Sequence, residues 1–319
     1  MSAELLTASI FSVPVLAFAL GLVAALIRAD LRLPEAVYQA TSIYLLLAIG
    51  IKGGVALREQ SLLEIAGPVG ATIALGIITP IFAFFMLRLM TRLSRVDRGA
   101  MAAHFGSTSL VTFTVALVYL DVMAVPYEGY MATLLAVMEV PGILVGLLLA
   151  GRQSRHARWT TSTREVFTSR SVVLLVGGLA IGALAGPVGY EKVEPFFGAP
   201  FAGVLALFLL EMGILAGKRL GSVRDAGWGL LAFALLFPLL AGALGVFTGA
   251  AVGLSQGGAM VLGVLCASAS YIAAPAAVRL ALPTANPGIT LTTSLGITFP
   301  FNLVLGIPIY WAIAQTVVS

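Results

Sequence analysis

The chain has 319 residues, 60% of them hydrophobic and only 10% charged, with a mean hydropathy of +1.05. Soluble globular domains carry far more charge than this, so the composition excludes a soluble enzyme and points to an integral membrane protein. The net charge of +4 does not call for nucleic acid, because in a membrane protein basic residues collect in cytoplasmic loops.

A bilayer core of roughly 30 Å is crossed by about 20 apolar residues in a helix, and such stretches follow one another along the chain. The first, over 11–27, lacks a basic leader and is preceded by Glu4. It is expected as a membrane span rather than a cleaved signal. Further spans are predicted over 34–53, 65–87, 100–120 and 130–149, then over 172–185, 200–216, 227–252, 257–280 and 289–318. The charges fit this order: the odd-numbered loops hold fifteen basic residues and the even-numbered ones only Lys52, Arg58 and Lys192. Odd loops are therefore expected in the cytoplasm, with both termini outside it. The lone Cys266 lies inside a span, which leaves no intrachain disulfide.

The basic stretch "GRQSRHARWTTSTREVFTSRS", 151–171, is the one long polar linker. It separates a first five-helix repeat, 1–150, from a second, 172–319. Five spans per half invert the second half relative to the first. Short matches at offsets near 160 residues support a repeat: "GIKGG" (50–54) with "GILAG" (213–217), and "GAM" at 99–101 with "GAM" at 258–260. The fold expected is all-α, a polytopic membrane protein of ten transmembrane helices in two inverted repeats. Inverted repeats with interrupted helices in matching places are a secondary-transporter pattern, with the substrate near the midplane.

The fourth and ninth spans are the candidates for interruption. "GAMAAHFGSTSLVTFTVALVYLDVM" and "GAMVLGVLCASASYIAAPAAVRLALP" both set Gly, Ser and Thr at mid-depth, and the ninth adds Pro275. A helix broken in hydrocarbon is tolerated only where protein or water satisfies the freed backbone groups, so the breaks should line a cavity. The resumed helices would aim unpaired N–H groups there, a setting for an anion. Thr108, Ser109, Thr112, Ser268 and Ser270 would add hydroxyls, unless they pack helices and bond back to their own carbonyls.

Two acids lie within spans, Glu139 before Pro141, which is expected to interrupt its helix, and Glu211 beside "GILAG". A carboxylate there is costly unless paired or functional, and a proton or a cation would pair it. His104 reads as a proton relay or a packing residue. Asn302 and Thr298 either face the cavity or bridge helices. "FGSTSL" is not a nucleophile elbow, and no serine has an assigned base, so no enzyme is expected.

"ASASYIAAPAAVRLALPTANPG", "FGSTSLVTFTVAL" and "MEVP", together with "LPEAVYQATSIYLLLAIGIKGGVALRE", resemble the cyanobacterial-type sodium-dependent bicarbonate transporter family over nearly all spans. The most specific element is "PTANP", 283–287. The resemblance implies a core and a gate domain in a homotrimer of the cell (inner) membrane, importing bicarbonate with sodium. It implies an anion held by serines and backbone amides between the fourth and ninth spans, which carries over to Ser109, Thr112, Ser268 and Ser270, with Tyr271 in the same run. It also implies sodium near Glu139 and Thr108, no cofactor beyond that coupling ion, and a small cytoplasmic regulatory protein as partner. The family has an acidic residue where this chain has Tyr271, and small residues where it has Leu110 and Val111. A bulkier, more apolar cavity of this kind leaves a further reading, a sodium- or proton-coupled carrier of another small organic anion; a different class is a sensor with the same fold and no flux.

Overall fold

In the computed structural model, residues 12–151, 164–223 and 227–318 are described. We number the helices α1 (Val13–Leu26), α2 (Glu35–Arg58), α3 (Leu62–Met90), α4 (Arg95–Gly106), α5 (Leu110–Val122) and α6 (Met131–Ala150). There follow α7 (Arg170–Glu191), α8 (Glu194–Phe197), α9 (Phe201–Val223), α10 (Trp228–Ala251), α11 (Gln256–Ala267) and α12 (Ala273–Ala281). The last, α13 (Pro287–Val317), contains two π-helical stretches, Thr292–Thr298 and Asn302–Gly306.

Among the described residues, eight helical segments are long and apolar enough to cross a membrane, α4 with α5 and α8 with α9 counted together, and α1 and α11 are shorter apolar helices. Their outer faces confirm the solvent. Ile73, Ile77, Ile81 and Phe85 form an exposed stripe on α3, and Leu236, Leu240, Leu244 and Phe247 another on α10. Helical spacing puts each set on one face. Apolar stripes of this extent belong against lipid, not water.

The chain closes by two tight helix crossings. On α2, Gly50 and Gly54 lie against the α7 backbone, and Gly178 and Gly182 of α7 lie against that of α2. On α9, Gly213 and Gly217 meet α1, whose Gly21 meets the α9 backbone in return. Between lipid-exposed helices there is no hydrophobic drive, so association depends on close van der Waals approach over residues spaced small-x-x-x-small. The "GIKGG" and "GILAG" motifs thus do the same work, each seating its helix on one from the other half. The remaining helices form a second group, with α3 and α6 packed around α4, and α10 and α13 around α11.

Prolines inside helices remove a donor and strand the carbonyl four residues back. Two such carbonyls find partners on other helices. The Ala234 carbonyl, freed by Pro238, accepts the Thr298 hydroxyl at 2.8 Å. The Ala183 carbonyl, freed by Pro187 beside the kink at Gly186 (φ 64), accepts the Arg58 guanidinium at 3.5 Å. Thr298 is therefore a bridge, and so is Asn302, whose amide donates to the Ala267 carbonyl at 2.9 Å.

Two sequence expectations need correction. Pro141 does not interrupt its helix: α6 runs through it unbroken. Pro275 does not make the break in the ninth span. It sits in the first turn of α12, where the N–H it lacks would have no intrahelical partner anyway. The linker over 151–171 lies largely outside the described residues, as do Arg152, Arg155, Arg158 and Arg224.

Candidate functional site

Helices α4 and α11 have the same build. Each is 12 residues long, begins at a serine N-cap (Ser94, Ser255) and ends at a serine (Ser107, Ser268) whose backbone turns extended. Twelve residues rise about 18 Å, little more than half a bilayer core. The chain resumes at Leu110 in one case and Ala273 in the other. A register of 161 therefore relates the two, matching Ser94, Ser107 and Ser109 with Ser255, Ser268 and Ser270. The "GAM" match is two residues out of this register, and the serine pattern, Ser-x12-Ser-x-Ser, is the signal that would have found it.

The two breaks cross and bond to each other. The Ser109 N–H donates to Ser268 Oγ at 2.9 Å, and the Ser270 N–H donates to the His104 carbonyl at 2.8 Å. Ser109 Oγ donates to the Tyr271 hydroxyl at 3.2 Å and accepts the Thr112 N–H at 3.2 Å, capping α5. Ser270 Oγ does the same for α12, accepting the Ala274 N–H at 3.1 Å. Each break thus satisfies part of the other's backbone, and the first turns of α5 and α12 converge on one small space.

That space is a small cavity, with about 360 Å³ of empty space that includes its opening to solvent. Its polar lining comes from Thr108, Ser109, Ser270 and Tyr271 of the breaks, Glu139 of α6 and Ser171 of α7. Leu46 of α2 and Leu135 of α6 supply apolar wall. Glu139 is 5% exposed, and its Oε1 accepts the Ser171 hydroxyl at 2.7 Å. No basic side chain lines the cavity among the described residues. Thr108 is buried and its hydroxyl has no partner.

The predicted site residues divide by position. Thr108, Ser109, Ser270, Tyr271 and Glu139 share the cavity wall. Ser268 lies behind it, its hydroxyl accepting from Ser109 and donating to the Leu265 carbonyl at 2.9 Å. Thr112 also stands outside the lining and reaches the break through its backbone N–H. Glu211 is elsewhere, accepting the Leu33 N–H at 3.2 Å. Sequence reasoning missed Ser171, whose position beside a charged linker gave no hint that it would meet an acid on α6.

A second cavity, of about 1,120 Å³, stacks on the first along three helices. Leu46 of α2 faces the smaller space, while Ile49 and Lys52 face the larger; Leu110 and then Phe113 and Asp121 do the same on α5. On α6 the order is reversed, with Leu135 below and Met131 above. About one helical turn, roughly 5 Å, separates the two. At the far rim Tyr127, in the loop after α5, donates to Asp121 Oδ1 at 3.1 Å. Burial and then the Asp121 charge hold its phenol above the ordinary range, so the donor stays protonated.

Residues 14–315 match the family described as the Na+-dependent bicarbonate transporter superfamily. No curated protein matches the chain.

Proposed function

Since the chain belongs to the Na+-dependent bicarbonate transporter superfamily, we propose that it is a secondary carrier importing a small anion with sodium, bicarbonate first. The observation that carries this reading is the meeting of two helix N-termini with one carboxylate in a cavity that has no basic side chain. The first turns of α5 and α12 offer unpaired N–H groups and partial positive charge to an anion. Glu139 would repel that anion, so the pair is stable only with a cation between them. Sodium suits oxygen ligands such as the Glu139 carboxylate and the Ser171 and Thr108 hydroxyls. Cation and anion would then each raise the affinity for the other, which is the thermodynamic content of coupling.

Ten spans in two inverted five-helix repeats are part of the same reading. The serine register of 161 supports it, as do the paired crossings, since α1 on α9 and α2 on α7 exchange under the repeat. The basic residues of the odd loops support a large cavity open to the outer side, as a vestibule above the site. Alternating access follows if the group around α4 and α11 moves against the group of α1, α2, α7 and α9.

Uptake of labelled bicarbonate by purified protein in proteoliposomes tests the proposal. An inward sodium gradient should drive accumulation, and replacing sodium by choline should abolish it. Sodium-independent uptake would refute the coupling. A second reading, an organic monocarboxylate as cargo, is favoured by Tyr271, whose ring packs edge-on against Phe299 and adds apolar wall at the crossing. Unlabelled acetate or pyruvate competing better than bicarbonate would select it.

A further inference from the structure

A third cavity, of about 490 Å³, lies on the opposite side of the crossing from the vestibule. It is bounded by α4, α12 and the turn that leads into α13, with His104, Arg279, Asn286 and Thr290 as its polar lining, the Thr290 hydroxyl already donating to the Pro287 carbonyl at 3.2 Å. The proposed function uses none of them. His104 is 1% exposed, and its Nδ1 lies 2.8 Å from the Ala100 carbonyl. A carbonyl only accepts, so Nδ1 must carry a proton and donate. In the uncharged ring Nε2 is then a bare acceptor. Nε2 is buried and has no partner among the described residues. An unpaired buried polar atom on a residue that lines a cavity is a cost that a ligand relieves.

What would relieve it is narrowly defined. The ligand must donate a hydrogen to Nε2, and it must also suit a guanidinium on the last turn of α12 and the amide of Asn286, whose Oδ1 is already occupied by the Gly288 N–H at 2.9 Å. That leaves the Asn286 NH2 as a donor. Two donor groups beside one acceptor describe an anion that has kept a proton: charged oxygens toward Arg279 and Asn286, an O–H toward His104. We propose that this cavity is a second anion site, selective for a small oxyanion bearing a hydroxyl over one without it. His104 lies near the C-terminal end of α4 and Thr108 lies four residues on, in the break that follows it, so the two sites succeed one another along the fourth span. The proposal rests on the carrier reading only for its choice of bicarbonate as probe.

The chain has two histidines, His104 and His156, so 15N-histidine labelling gives a spectrum that one His156→Gln variant assigns. Full-length protein in nanodiscs, held at one pH, is titrated with sodium bicarbonate and, in parallel, with sodium formate, which has the charge and no hydroxyl. The His104 Nε2 resonance should move saturably with bicarbonate and stay put with formate. Arg279 is exposed, so Arg279→Gln should fold normally and weaken the titration roughly tenfold, the loss of one charge-assisted contact. No response to bicarbonate, an equal response to formate, or an imidazolium spectrum before any anion is added would each overturn the proposal. Sodium-driven uptake is read separately, on the same purified protein reconstituted in proteoliposomes. Uptake without the resonance shift removes this site alone, and the shift without uptake removes the carrier reading alone.

Discussion

Among the described residues, Glu139 is the one charged side chain in the lining of the crossing cavity, and its hydrogen-bond partner there is the Ser171 hydroxyl. That bond ties α6 to α7 across the boundary between the two helix groups, so the acid is placed where both ion binding and movement would be felt. Replacing it by Gln keeps the shape and the Ser171 bond but removes the charge. The apparent sodium affinity of uptake should fall at least tenfold, about 1.4 kcal/mol, while protein yield and melting temperature hold. A Glu139→Gln protein with the wild-type sodium response would take this residue out of the coupling. Thr298 has a different kind of task. Its hydroxyl satisfies the carbonyl that Pro238 strands, and Thr298→Val leaves that carbonyl unpaired in the bundle. Interhelical bonds of this type are worth about 0.6–1.7 kcal/mol, so a lowered melting temperature with sodium affinity unchanged is expected, read by thermal unfolding in detergent. The double variant Thr298→Val with Pro238→Ala restores the helical N–H and should recover most of the loss.

At the scale of elements, hydropathy and the basic loops disclosed where the apolar helices run, because burying apolar length in lipid is a composition effect. The breaks were legible for a different reason: runs of Ser, Gly and Thr at mid-depth are poor helix and can bond each other's backbone. Proline was the weaker guide. Pro275 marks the restart of a helix rather than its end, and Pro141 is carried inside α6, since neither its cost nor its compensation can be read without knowing the neighbouring helix. Ser171 was illegible because its meaning depends on a contact 32 residues away in sequence. The π-helical stretches of α13 were equally hidden; their backbone register is set against α9 and α10. Glycines offer a sharp test of which close approaches matter. A side chain on Gly54 would overlap the Leu179 carbonyl, whereas one on Gly203 meets nothing within 4 Å. Gly54→Leu should therefore abolish folded yield, and Gly203→Leu, on an exposed face of α9, should leave yield and uptake unchanged. Equal tolerance of both would contradict the packing of α2 on α7.

For the whole molecule, the three cavities follow one line through the crossing of the breaks: a wide one, a small one with the carboxylate, and a third beside His104. They are not a continuous pore. Packed side chains such as Phe113, Met131 and Leu135 stand between the first two, and an anion passes them only if the helix groups shift. The crossing site draws its wall from both groups, with Leu46 on α2 and Leu110 on α5 facing the same 360 Å³ space. This geometry makes the motion testable by a covalent bridge. Cys266 is the sole cysteine and is buried, so Cys266→Ala gives a clean background into which Leu46→Cys and Leu110→Cys are introduced together. Bridging the pair with a short thiol cross-linker should stop uptake, and either single cysteine treated in the same way should keep most of it. If the bridged protein still transports at the unbridged rate, the two groups do not move against each other at this point, and the anion must reach the other side by a route that leaves α2 and α5 fixed.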